Sequence, residues 1–102
     1  MSLKLPETIR IGPGDWAIAV APLPEYGLCD EAQRTIVVRE GMDPLMTRIT
    51  LWHEIVHAML FSLGYSNHNE RLVDGLAYQI VQVLSDNPEL SGLLAAGKRA
   101  VK

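Results

Sequence analysis

The feature that most constrains this chain is the segment H-E-x-x-H, formed by His53, Glu54 and His57. Residues four positions apart lie on one face of an α-helix, so the two imidazoles would stand about 6 Å apart along the helix axis. At that separation both rings can reach one metal ion, because zinc–nitrogen bonds are about 2.0–2.1 Å long. Glu54 would point past such an ion, where its carboxylate can take a proton from a bound water. The spacing predicts a helix with a metal site on one face; the alternative is a helix with two packed or solvated histidines.

The residues on either side of this motif predict where its helix begins and ends. Asp43 is a suitable N-cap, and Pro44 fits the first helical position, where no N–H is needed. Gly64 is the expected stop signal. The apolar positions between them form more than one stripe, so the helix should be buried on most sides. These positions are Leu45, Ile49, Leu51, Trp52, Ile55, Val56, Met59, Leu60 and Leu63.

The third protein ligand of a hydrolytic zinc site must come from outside H-E-x-x-H. One common arrangement continues the motif with a glycine and a third histidine, but Leu60 and Leu63 occupy those two positions here. Glu70 and Asp74 instead lie four positions apart on the next predicted helix and share a face. Glu70 is the predicted third ligand, and Asp74 is predicted to accept the N–H of His53 and so orient its ring. The alternative is a capping residue at position 70 and a solvated charge at position 74.

The size and composition of the chain indicate one globular domain over residues 1–102. Hydrophobic residues make up 48% and charged residues 21%, and the net charge of −3 gives no reason to expect a nucleic acid partner. No apolar run approaches the roughly 20 residues needed to cross a bilayer, and the N-terminus is not a signal peptide, so no membrane partner is expected. With Cys29 as the only cysteine no internal disulfide can form, and the cytoplasm is the expected location.

Residues 8 to 39 predict a small, mostly antiparallel sheet of three or four strands, which makes the expected fold α+β. Apolar and β-branched runs, separated by turns that contain Gly, Pro or Asp, predict each strand. The predicted strands cover residues 8–11, 16–21, 26–29 and 35–39. Trp16 and Trp52 are predicted to lie in the core.

A second helix is predicted after a loop of about four to six residues, and it should run to about Ser85. Its N-cap is either Asn67, with Glu70 three positions later as in a capping box, or Asn69. Gly75 inside this helix costs about 1 kcal/mol relative to alanine, which predicts close packing against a neighbour.

The segments HEIVH and NERLVD together resemble the gluzincin pattern of zinc peptidases. The small size, and the segment GLCDEAQRTIVVRE that leads into the helix, resemble minigluzincins and ImmA/IrrE-like phage and prophage metallopeptidases. The resemblance covers roughly residues 8 to 86 and is specific for the metal site rather than for a substrate. It implies a zincin-like domain in which His53, His57 and Glu70 bind Zn2+ and Glu54 is the catalytic base. Larger gluzincins also have a separate helical subdomain, for which this chain has no room.

The expected activity is that of a zinc-dependent endopeptidase acting on a peptide or protein substrate. Glu54 would take a proton from the zinc-activated water and pass it to the leaving amine. Tyr65, His68 and Tyr78 are candidates for a further donor to the oxyanion or substrate, and the alternative for each is a packing or surface role. An extended substrate would pair with an edge of the sheet, for which residues 35–39 are the predicted strand; the alternative for this segment is an ordinary core strand.

Two other interpretations keep the same fold and metal. In the first, the chain is a phage or prophage regulatory zinc protein that acts by binding a partner, although a structural zinc site has no use for Glu54. In the second, the peptidase is latent because its cleft is covered, either by self-association or by a basic tail at 97–102. A short third helix is predicted just before this tail, over roughly 88–96. The apolar second helix leaves a homo-oligomer open. Cys29 could block zinc as a thiolate, but a small buried strand residue is the simpler interpretation.

Overall fold

The computed structural model describes residues 3–97, in which four strands are followed by three helices. The elements are β1 (Thr8–Ile11), β2 (Gly14–Ala21), β3 (Gly27–Asp30), β4 (Thr35–Arg39), α1 (Pro44–Ser62), α2 (Glu70–Asp86) and α3 (Glu89–Gly97). The predicted α+β order is therefore confirmed, with bounds close to those expected. The predicted basic tail lies outside the described residues from position 98 onward. Within residues 3–97, no helix is long and apolar enough to cross a membrane.

The sheet has the strand order β1-β2-β4-β3, in which β2 and β4 are parallel and the two outer pairs are antiparallel. Antiparallel pairs thus predominate, as predicted. β4 lies inside the sheet, so the prediction that it offers an edge to a substrate is wrong. Its Ile36 and Val38 side chains are fully buried, which suits a β-branched strand covered on one face and paired on both sides. Within residues 3–97, the free edges of the sheet belong to β1 and β3.

α1 packs across one face of the sheet and forms the core with it. Its N-cap Asp43 accepts a backbone N–H at 2.7 Å, Pro44 is the first helical residue, and Gly64, with φ of 96°, follows the helix end. The predicted start and stop are confirmed. Trp16 is buried and Trp52 is partly buried against the same cluster. The buried residues of this core are Ile11, Trp16, Ile36, Val38, Leu51, Ile55 and Ala58.

α2 packs against α1, and this packing brings the second motif to the first. Val73, Ala77 and Val81 recur every four residues and are buried on one face of α2. Asn69 is the N-cap, because its side chain accepts a first-turn N–H at 3.1 Å, and this decides between the two predicted caps. A Cβ at Gly75 would meet no neighbouring atom within 4 Å. The predicted close packing at this glycine is wrong, since it lies on the open side of the helix.

Candidate metal centre

His53 and His57 project from the middle of α1 toward the start of α2. Their ring centroids lie 5.0 Å apart, with the rings inclined at 60°. The two side chains keep 21% and 12% of their surface exposed, so both are largely enclosed. Burial lowers the pKa of His57, with Glu70 acting in the opposite direction, so this ring is neutral at pH 7. A neutral imidazole is the form that binds a metal.

Glu70, the first residue of α2, faces both imidazoles. Its Oε1 lies 3.5 Å from His53 Nε2, and its Oε2 lies 3.3 Å from His57 Nε2. One ligand atom from each of the three residues lies within 4.8 Å of the other two. Among the residues the structure describes, this is the one group of three or more His, Cys, Asp or Glu side chains close enough together to bind a metal ion.

Asp74 supports the ring of His53 on its other side. Its Oδ1 lies 3.2 Å from His53 Nδ1, so the contact predicted from the helical spacing is confirmed. An ionised carboxylate only accepts hydrogen bonds, so a neutral His53 carries its proton on Nδ1 and turns the Nε2 lone pair to Glu70. The lone pair of His53 Nε2 and the Oε1 of Glu70 then face each other at 3.5 Å. A cation between them would stabilise this arrangement, and the side chains present therefore fit a metal ion.

Glu54 is buried beside this group, with 7% of its surface exposed. Burial raises the pKa of its carboxyl to about 7; His53 lowers this pKa and the charge of Glu70 raises it. The carboxyl lines a cleft together with Gly27 and Cys29 of β3. A group with a pKa near neutrality can both take up and release a proton at physiological pH.

Gly27, at the start of β3, is a site position that was not predicted from the sequence. A Cβ there would lie 2.7 Å from Thr50 Cγ2 and 3.1 Å from Glu54 Oε2. Glycine therefore lets the strand pass close to α1 at the level of the buried carboxyl. A glycine that opens a short strand was the available signal, but it carries no information about which residues the strand faces.

Cys29 lines the cleft on the same strand and is half-buried. Burial raises the pKa of its thiol to about 12, and the carboxylate of Glu54 contributes in the same direction. In the metal-free protein the thiol is therefore protonated at neutral pH. Cys29 is not a member of the group whose ligand atoms lie within 4.8 Å of one another, which favours its interpretation as a small strand residue over that of a thiolate that blocks the site.

Of the three candidate oxyanion or substrate donors, His68 lines the cleft. Tyr78 is exposed and lines an adjoining pocket that shares His53 with the cleft. The side chain of Tyr65 is exposed, and this residue contacts the site through its backbone carbonyl, 2.8 Å from His68 Nε2. His68 itself contacts His57, with 2.7 Å between their Nδ1 atoms. That contact was not predicted, because it depends on the path of the loop between α1 and α2.

Comparison with known proteins gives no match for this chain: no family model, no curated protein and no solved structure matches it. The resemblance to gluzincins therefore remains an interpretation of the motifs.

Proposed function

We propose that this protein is a zinc-dependent peptidase in which His53, His57 and Glu70 hold the ion and Glu54 transfers protons. The observation that carries the proposal is the convergence of two imidazole Nε2 atoms on the Glu70 carboxylate, at 3.5 and 3.3 Å, beside a buried glutamate. A site that only stabilised the fold would not need a second carboxyl with a pKa near 7.

Zinc is the proposed metal because of the donor set. Two histidines and one carboxylate are a known ligand combination of catalytic zinc sites, which keep a further position for water or substrate. Structural zinc sites often use softer thiolate ligands only. This group instead consists of two imidazoles and a carboxylate. When bound to such a set, zinc lowers the pKa of a water to about 7 and polarises a carbonyl group.

Glu54 is proposed as the general base and then the general acid. Its carboxylate would take the proton from the attacking water and deliver it to the nitrogen of the leaving amine, as peptide hydrolysis requires. Burial supports this role, because it raises the pKa of the carboxyl to about 7 and so makes both transfers accessible at neutral pH.

The proposed substrate is an extended peptide that pairs with the free edge of β3. Among the described strands, it is at the end of the sheet and pairs with β4 alone. Its residues Gly27 and Cys29 line the same cleft as Glu54 and the two histidines. A peptide that adds to this edge by main-chain hydrogen bonds would pass beside the proposed ion.

The test combines zinc analysis with cleavage of a broad peptide library by wild type and Glu54→Gln. The proposal predicts about one zinc per chain in both proteins and hydrolysis by the wild type only. Glu40→Gln, which changes an exposed glutamate outside the cleft, is the matched control and should hydrolyse as the wild type does.

Hydrolysis that persists in Glu54→Gln would contradict the proposed role of this residue. A wild type that binds zinc but cleaves no peptide, at any dilution, would contradict the peptidase and favour a regulatory zinc protein that acts by binding a partner. Activity that appears only on dilution would indicate a latent enzyme covered by self-association.

A further inference from the structure

His68 makes contacts with α1 that have no part in the proposed proton transfers. It is half-buried, and its Nδ1 lies 2.7 Å from the Nδ1 of His57. The two rings stack with centroids 4.9 Å apart and 23° between their planes, and the Phe61 ring packs on His68 at 4.5 Å. The Nε2 of His68 lies 2.8 Å from the carbonyl oxygen of Tyr65. Both ring nitrogens of His68 are therefore engaged within the protein.

These contacts determine where the protons lie. Two ring nitrogens at 2.7 Å share one proton, since two bare nitrogens repel each other and two N–H groups collide. The Tyr65 carbonyl can only accept, so His68 carries its proton on Nε2 and, as a neutral ring, accepts through Nδ1. His57 must then donate from Nδ1. The reverse arrangement would place a bare His68 nitrogen against a carbonyl oxygen at 2.8 Å.

This proton arrangement leaves the Nε2 lone pair of His57 directed at Glu70, whose Oε2 lies 3.3 Å away. We propose that His68 is a positioning residue that holds His57 in the Nδ1–H form and thereby presents its Nε2 to the metal. The inference rests on the proposed zinc site, because it assigns a partner to one of that site's ligands. A neutral histidine in water favours the Nε2–H form, which would instead direct a proton at Glu70.

The two metal-binding imidazoles are thus supported by different groups. His53 donates to the carboxylate of Asp74, whereas His57 donates to a neutral imidazole that is itself held by a backbone carbonyl. Such supporting contacts fix ring orientation and raise the basicity of a ligand. His68 lies two residues before Glu70, so the segment that brings the third ligand also brings the support for His57. The same contacts leave no N–H of His68 free for a substrate oxygen, which favours the positioning role over donation to an oxyanion.

The test compares His68→Leu, which removes the acceptor, with His68→Asn, whose amide oxygen is as many bonds from the backbone as His68 Nδ1. Long-range proton–nitrogen NMR correlations on the metal-free protein at pH 8 identify which nitrogen of each histidine carries the proton. We expect His57 in the Nδ1–H form in wild type and His68→Asn, and a shift to the Nε2–H form in His68→Leu. His53 serves as the internal control and should keep its Nδ1–H form throughout, because its contact with Asp74 is unchanged.

Zinc affinity, measured by competition with a chromophoric chelator, is the second readout. Affinity should fall about 10- to 100-fold in His68→Leu and stay within about 3-fold of wild type in His68→Asn, as expected for a partner that orients a ligand. Phe61→Leu removes the ring packed on His68 but keeps the acceptor, so its affinity should also stay near that of wild type.

The inference is overturned if His57 carries its proton on Nε2 in the wild type. It is also overturned if His68→Leu binds zinc as tightly as wild type, or if Phe61→Leu and His68→Asn lose as much affinity as His68→Leu. Failure of the proposed function has a different signature, in which the wild type itself binds no zinc. In that case the NMR readout alone decides the role of His68.

Discussion

Glu54 and Glu70 have the same side chain, and their surroundings suit them to different chemistry. The Glu70 side chain is 70% exposed and lies in the first turn of α2, where the helix dipole favours a negative charge. It is suited to be an ionised ligand. Glu54 is buried on α1, and its carboxyl has a pKa of about 7, which suits proton transfer. At the residue scale, burial therefore distinguishes the proposed ligand from the proposed base.

The burial of Glu54 should make the metal-free protein less stable as the pH rises. The folded-state pKa of about 7 lies above the ordinary 4.5, so the stability that this group contributes is present below about pH 4.5 and is lost as pH rises through 7. Between pH 5 and pH 8 the wild type should lose about 2 kcal/mol more unfolding free energy than Glu54→Gln. Urea unfolding of both proteins in a chelator measures this, and an equal pH dependence would contradict the account of Glu54.

Asp74→Ala should weaken zinc binding although Asp74 is not a proposed ligand. The substitution removes the acceptor for His53 Nδ1–H, 3.2 Å away, and affinity should fall about 10- to 100-fold. Asp86→Ala, at the far end of the same helix, is the control and should bind as wild type does. Competition titration with a chelator provides the measurement. Equal affinity of Asp74→Ala and wild type would show that the contact does not orient His53.

At the scale of elements, the site lies where α1, the start of α2 and the edge strand β3 meet. The buried face of α2, which includes Val73 and Ala77, packs on α1 and so fixes the position of Glu70 at the helix start. β3 closes the other side of the cleft, and Gly27 permits its close approach to Thr50. The geometry of the site therefore depends on two separate packing contacts of α1.

Gly27→Ala should destabilise the protein because its methyl group would overlap Thr50 and press on Glu54. Overpacking of this kind costs about 1–3 kcal/mol. Peptide hydrolysis should fall, whereas zinc binding should persist, because the new methyl group displaces Glu54 and not the three proposed ligands. Urea unfolding, zinc stoichiometry and library cleavage together check this expectation.

Gly75→Ala is the matched control, with an expected effect of opposite sign. A Cβ at Gly75 meets no neighbouring atom within 4 Å, so the change should stabilise α2 by about 0.5–1 kcal/mol. Loss of stability in Gly75→Ala, or none in Gly27→Ala, would contradict the packing described for these two glycines.

The features that the sequence predicted well are those determined by local chemistry. The Asp43 cap and the helical spacing of His53 with His57 follow from neighbouring residues alone, and both were found as predicted. The order of the strands was not predicted, because a β-branched segment such as Thr35–Arg39 indicates a strand but not its partners. The contact of His68 with His57 was also missed, because loop geometry brings together residues whose spacing follows no helical period.

At the scale of the whole molecule, the proposed ligands come from two helices joined by a loop, so metal binding is coupled to folding. The unfolded chain does not hold His53, His57 and Glu70 within 4.8 Å of one another, as the folded protein does. Any ion bound there favours the folded state by mass action.

Zinc should therefore raise the unfolding free energy, by about 2.7 kcal/mol when the free ion is at 100 times its dissociation constant. Thermal unfolding at several zinc concentrations should give a rising midpoint for wild type and Glu54→Gln. His57→Ala, which lacks one of the proposed ligands, should give a midpoint that zinc does not change. A zinc-dependent rise of equal size in His57→Ala would place the binding elsewhere.

The most direct test of the central claim is diffraction at the zinc absorption edge from crystals of the protein grown with zinc. The account predicts an anomalous peak at about 2.0–2.2 Å from His53 Nε2, His57 Nε2 and a Glu70 carboxylate oxygen. A peak at other residues, with these three side chains free of metal, would contradict it.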